Sequence, residues 1–305
     1  MLQYILRRLV WTVVTIAVII AVTFLITYAI PSDPARVIAG PHATPETLAS
    51  IRAALGLNKP LLLRLVLYFG QVLQGDLGYD WVMQQPVLTM ILQSLPPTVY
   101  LALAAVVCEL LIAIPIGVVA AVRRNSWIDQ VTRTASLVGV ALPVYWVGSL
   151  LLLYLGYYAG LFPLGGYSAA GVVLPALSVG VTGAAVYVRI LRSSMLEVMR
   201  LDYVRTARAK GLAERAVIWR HIFRNALIPV VTYLGMDLGY LLGGLVVTEY
   251  VFNWPGLGLL LNHAIGNVDG ALIMGLTMFS ASAIVVMNLV VDIVYAFLDP
   301  RISYA

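Results

Sequence analysis

Charge is what this chain has least of. Only 11% of its 305 residues are Asp, Glu, Lys or Arg, while 61% are hydrophobic and the mean hydropathy is +0.94. A soluble domain is about a quarter charged, so lipid must be the main solvent of this surface. Lysine is scarcer still, with Lys59 and Lys210 alone. Neither follows the glycines of a G-x-x-x-x-G-K-[ST] loop, so that nucleotide-binding motif is absent. A single cysteine, Cys108, excludes an internal disulfide and says nothing about redox compartment. His42, His221 and His263 stand far apart without ligand-like spacing, so no metal site is expected. Neither H-E-x-x-H nor G-x-S-x-G occurs, which leaves an intramembrane protease without its chemistry. The net charge of +5 fits Arg and Lys held on one side of a membrane, and no nucleic-acid partner is expected.

Long apolar runs stand where the charge is missing. A bilayer-crossing helix needs roughly 20 apolar residues. Six runs qualify, at about 9–30, 98–122, 134–159, 172–191, 228–252 and 272–298. They are too long and continuous for the short alternating strands of a barrel, so an all-α membrane protein with six transmembrane helices is expected. The first run follows a basic start, exceeds a signal-peptide core and lacks a small-residue cleavage site, so it reads as a retained span. Three blocks are expected. These are the N-terminal end with its span (1–30), an outer segment (31–97) and a five-helix core (98–305).

Basic residues orient the spans. Arg7 and Arg8 precede the first, Arg123, Arg124 and Arg133 bracket the second connection, and Arg301 follows the sixth. The connections at about 160–171 and 253–271 hold no Lys or Arg. By the positive-inside rule both termini face the cytoplasm and segment 31–97 lies outside. In that segment Thr44 suits an N-cap, Pro45 a first helical position and Gly56 a C-terminal stop. Apolar residues then recur at helical spacing before Gly75 and Gly78. Two short helices at the outer surface are expected, either a docking platform or a lid over the helix ends.

One polar stretch breaks the pattern. "DYVRTARAKGLAERAVIWRHIFRNALIP" holds Arg205, Arg208, Lys210, Arg215, Arg220 and Arg224. Tyr203 to Lys210 suits a short helix, and Gly211 suits a left-handed stop with Leu212 folding back toward Ala207. A second helix from about Ala213 places Val217, Ile218, Ile222 and Leu227 near one another, with the arginines on other faces. Pro229 falls at the entry to the fifth span. Ala207 and Ala209 flank a surface that fits a partner's groove, with Arg205, Arg208 and Lys210 at its rim. The same basic residues also serve as topology signals or as contacts to anionic lipid, worth about 1 kcal/mol each.

"DYVRTARAKGL" followed by "HIFRNALIP" resembles the cytoplasmic loop of ABC-transporter permeases of the dipeptide, oligopeptide and nickel importer family. "MLQYILRRL", "IPSDP", "GLNKP", "GDLG", "TEYVFNWPGLG" and "VDIVYAFLDPRI" extend the resemblance over nearly the whole chain. The superfamily's Glu-Ala-Ala signature is replaced here by Arg205, Thr206 and Ala207, with Gly211 four residues on. The gap from Gly211 to Pro229 is longer than in sugar-importer permeases, as is usual for this branch. The resemblance implies a type I importer permease fold and a coupling loop at 193–227 docking on an ATPase through Arg205, Thr206, Ala207, Arg208, Ala209, Lys210, Gly211 and Leu212. It further implies a second homologous permease, two cytoplasmic ATPases holding ATP and Mg, and an extracytoplasmic binding protein. A di- or oligopeptide is the expected cargo, with nickel or a metal chelate as the alternative.

Ionisable residues inside spans are costly and point to function. Glu109 lies in the second run and Asp237 in the fifth, where Gly235, Gly239 and Gly243 form a small-xxx-small stripe beside Tyr240. They line the translocation path or pack a helix interface. Asp292, near the end of the sixth run, is expected to be structural. Trp254 in "NWPGLG" is expected as an interfacial anchor after a turn. A self-contained ion-coupled transporter using the midplane acids is a separate possibility, disfavoured by the lack of a detectable inverted repeat.

Overall fold

A computed structural model of the chain describes residues 2–29, 34–40, 43–54, 56–243 and 245–298. Arg301, the "IPSDP" residues 30–33 and the side chain of Asp292 lie outside the described set. The chain divides into two compact units, each with its own core.

The first unit comprises Met1–Thr98, Leu242–Val246 and Pro255–Ala305. Helix α1 (Leu2–Ala29) runs alongside the last helix, α14 (Gly270–Leu298). Gly270 meets Thr27, so the end of one span lies level with the start of the other. Between them in sequence come α2 (Pro34–Ala39), α3 (Pro45–Ala54) and α4 (Leu61–Leu73). The Thr44 hydroxyl accepts from Thr47 N–H, and Gly56 takes φ +64°, as the cap and stop residues require. A hairpin, β1 (Tyr79–Asp80) with β2 (Gln85–Pro86), was not expected from the sequence. Its two-residue strands are too short to show alternation. Ile20, Phe24, Tyr68, Ile91, Leu257 and Leu276 form the core, joined by α13 (Leu257–Gly266).

The second unit comprises Val99–Leu241 and Val247–Trp254. Helix α5 (Val87–Val122) supplies residues to both units and starts well before the expected 98. The expected third span is not straight. Helix α6 (Trp127–Ala141) and α7 (Val144–Leu151), which continues as a π-helix over Leu152–Tyr158, meet at 98°. Pro143 disfavours helical geometry at the residue before it, and Leu142 is extended at ψ 128°. Helix α8 (Val173–Val198) follows.

The expected fifth span is also revised. One continuous helical run begins at α10 (Glu214–Ala216), passes through a π-turn at Val217–Phe223 and ends with α11 (Arg224–Leu242). Pro229 therefore sits inside a helix and not at its entry. Helix α11 ends at Leu242, and α12 (Val246–Val251) is a separate helix. Among the described residues, five helices are long and apolar enough to cross a membrane, or six if the bent pair counts as one span.

Candidate functional site

The basic segment folds as a helix, a turn and a second helix. Helix α9 (Asp202–Ala209) ends at Gly211, which takes φ +76°. Gly211 N–H donates to the Arg208 carbonyl at 2.9 Å and Leu212 N–H to the Ala207 carbonyl at 3.4 Å. This is the Schellman ending, and it satisfies carbonyls that the helix end would leave open. No atom lies near where a Cβ of residue 211 would stand, so the requirement for glycine is conformational and not steric.

Apolar packing fixes the two helices together. Val204 and Ala207 are buried against Val217, Ile222 and Ala226. Ala207 thus faces inward, and of the two alanines expected at a docking surface only Ala209 is exposed. Arg205, Thr206, Arg208, Lys210, Gly211 and Leu212 are exposed beside it. Arg208 is committed within the chain: its guanidinium donates twice to Glu214, at 2.7 and 3.1 Å, closing the turn. That pairing raises the Arg208 pKa above its ordinary value. Arg205 lies 3.6 Å from Asp202, with both side chains largely in solvent.

A polar clamp escaped the sequence reading. Tyr203 O–H donates to the His221 carbonyl at 3.1 Å. Asn225 Nδ2 donates to Tyr203 Oη at 2.7 Å and to the same carbonyl at 3.1 Å. The π-turn shifts the backbone ladder out of its i−4 register here, and side chains satisfy His221. Tyr203 and Asn225 stand 22 residues apart, so no local pattern could have joined them. Another missed pair is Asp129 on α6 with Arg192 on α8. Arg192 donates to both carboxylate oxygens of the fully buried Asp129. Asp129 was visible only as the sole acid of a basic connection.

Two of the intramembrane acids come together. Glu109 of α5 is 1% exposed, and its carboxyl stands near that of Asp237 of α11. Tyr187 of α8 donates to Asp237 Oδ2 at 2.8 Å, and Tyr233 packs edge-on against Tyr187. Glu109 Oε2 has no hydrogen-bond partner among the described residues. Gly183 of α8 makes room for this carboxyl, since a Cβ there would collide with Glu109 Oε1. A Cβ at Gly180 would stand 2.6 Å from Cys108 Cβ. The close helix approach is therefore seen at Gly180 and Gly183. On α11 and just beyond it, Gly239 is buried, Gly235 and Gly243 are half-buried, and Tyr240 is 71% exposed. Trp254 is fully buried, stacked 6.1 Å from Tyr100 and edge-on 5.1 Å from Tyr167. It is a core residue and not the membrane-interface anchor expected.

Residues 113–304 match the family described as binding-protein-dependent transport system inner membrane component, and residues 1–102 match its N-terminal companion. The chain belongs to this family of ABC importer permeases. The permease is 40% identical over 305 residues to the glutathione transport system permease protein GsiC of Salmonella choleraesuis strain SC-B67, covering all of both chains. It is 38% identical, again over both full lengths, to the protein of that name from Escherichia coli strain K12. Its fold is the all-α type I importer permease fold, and its place is the inner membrane. A permease component of this kind is not itself catalytic.

Proposed function

We propose that this permease carries short peptides, with glutathione the first compound to test. The observation that supports this is full-length similarity to permeases named for glutathione transport. Glutathione is a tripeptide, so this narrows the expected di- or oligopeptide class. Nickel or a metal chelate is the competing cargo. The permease works with a second permease, two ATPases that hold ATP and Mg, and an external binding protein. Both termini and segment 193–227 face the cytoplasm, supported by the placement of arginine in the connections.

In this proposal the exposed edge formed by Arg205, Thr206, Ala209, Lys210, Gly211 and Leu212 meets an ATPase. Its support is the rigid shape: a capped turn, a buried underside and a side-chain clamp to the next helix. Arg208 shapes that edge through Glu214, and Ala207 supports it from beneath. The Glu109, Asp237 and Tyr187 contact is a helix interface that ties α5, α8 and α11, because Glu109 is shut away from solvent. Tyr240, exposed one turn on, is the better candidate for the path. The glycines at 235, 239 and 243 leave that stretch of chain slim. Family membership removes the ground for a self-contained ion-coupled carrier.

Uptake of labelled glutathione, a dipeptide, a pentapeptide and a nickel chelate should be compared in cells with the complete transporter and in cells lacking this chain. Uptake of glutathione that depends on this chain and is inhibited by short peptides is expected. Chain-dependent uptake of the nickel chelate alone would overturn the peptide assignment.

A further inference from the structure

Helix α4 turns an apolar side outward. Its sequence, LLLRLVLYFGQVL, holds one charged residue, and that residue, Arg64, is half-buried. Tyr68, Leu65, Phe69 and Val72 pack into the first core. The opposite side presents Leu62 at 75%, Val66 at 67% and Leu73 at 86% exposure, with Leu63 and Leu67 beside them. Arg64, Tyr68 and Gln71 share the other side by helical spacing, so α4 is amphipathic with its apolar side turned outward, the pattern of a helix held in a membrane interface.

Two neighbouring helices fix its depth. The first span covers Leu6–Thr27, 22 residues, which matches a hydrocarbon core about 30 Å thick. Tyr68 packs on Phe24 with ring centroids 5.6 Å apart, and Ile20 belongs to the same cluster. At 1.5 Å rise per residue, these lie about 5 and 10 Å inside the Thr27 end. Helix α14 gives a similar level. Tyr68 Oη approaches Met278 Sδ at 4.0 Å, about 12 Å in from Gly270, which itself touches Thr27. That is the depth at which interfacial helices bury their apolar side. Helix α1, which α4 touches, also carries an exposed apolar stripe at Val18, Val22, Leu25 and Ile26.

We propose that α4 lies in the membrane interface, its Leu62, Val66 and Leu73 side in the acyl region of the leaflet at the Thr27 end. That leaflet is the outer one, which rests on the orientation proposed above. The helix floats the segment between the first two spans at a fixed height, so the hairpin at Tyr79–Pro86 stands at a set distance from the bilayer.

Single cysteines replace Leu62, Val66, Leu73 and Lys59 in a Cys108→Ser chain, which is nitroxide-labelled and reconstituted with its partners in phosphatidylethanolamine–phosphatidylglycerol vesicles. Collisions with oxygen and with a water-soluble nickel chelate are compared. At Leu62, Val66 and Leu73 the oxygen-to-nickel collision ratio should clearly exceed that at Lys59, as for a side chain below the headgroups. Free access of nickel at the three positions would overturn the proposal. Shielding from both reagents only when binding protein is added would also overturn it, and would assign the face to that protein. Orientation is read separately in intact cells. A Lys59→Cys chain should react with an impermeant maleimide added outside. Reaction only after permeabilisation would reject the orientation and leave the lipid contact standing.

Discussion

Two carboxyls meet at Asp80 and Asp269, at the hairpin and at the start of α14. Asp80 Oδ1 accepts from the N–H groups of Val82 and Met83, and Asp269 Oδ1 accepts from Leu272 N–H. Both are buried, and the two carboxyls stand close together. Burial first, and then Asp80, push the Asp269 pKa up to about 6. An unfolded Asp titrates near 3.9. The folded state therefore keeps a proton that the unfolded chain has lost. The stability from this site is full below about pH 4 and falls as pH rises through about 6. Hydrogen exchange at residues 78–86 and 269–273, corrected for intrinsic rate, should show weaker protection at pH 7.5 than at pH 5. In Asp269→Asn the pH dependence should disappear, because Asn still caps α14 and donates to Asp80 without titrating. An unchanged pH dependence in the variant would refute this account. At this scale the sequence is readable where a residue acts on its own backbone, as Thr44, Gly56 and Gly211 do. Asp129 with Arg192, 63 residues apart, and Trp254 with Tyr100 are fixed by tertiary contact, which no local pattern carries.

Among elements, α9 with its turn and the following helix is the test of local legibility. The helix, the glycine stop and the buried side of Val217 and Ile222 were all implied by spacing. Three departures came from the backbone ladder. The bend at Pro143, the π-turn at Val217–Phe223 and the helix carried through Pro229 each depend on which neighbours take up the released backbone groups. Hydropathy averages over such breaks, so run three read as one straight span and run five was placed with wrong ends. The turn gives a clean experiment. Gly211→Val forces a β-branched residue into φ +76°, a strain of roughly 1–2 kcal/mol, with no clash to confuse the result. Uptake should fall by roughly five- to thirtyfold while the amount of chain in the membrane is unchanged, because a strain that size shifts the turn's equilibrium by about that factor. Gly211→Asn, which tolerates the left-handed region, should keep most activity. Equal uptake in the Val variant and the wild type would show that the turn does not transmit work.

For the whole molecule, the two cores and the sparse charge raise the question of what completes it. The chain spends its polar groups on a capped basic edge, a buried Asp129–Arg192 tie and a carboxyl contact among three helices. None of these is a device for generating force. The family is described as dependent on a binding protein, which implies ATPase and binding-protein partners. A tagged chain extracted from its native membrane in mild detergent should bring with it two ATPases and a second permease. ATP hydrolysis by that assembly should rise when peptide-loaded binding protein is added, and Gly211→Val should lower uptake per ATP more than it lowers recovery of the ATPases. That split separates a broken transmission from a lost contact. A chain that runs alone and accumulates peptide on an ion gradient without ATP would leave the basic edge as a topology signal or a lipid contact only.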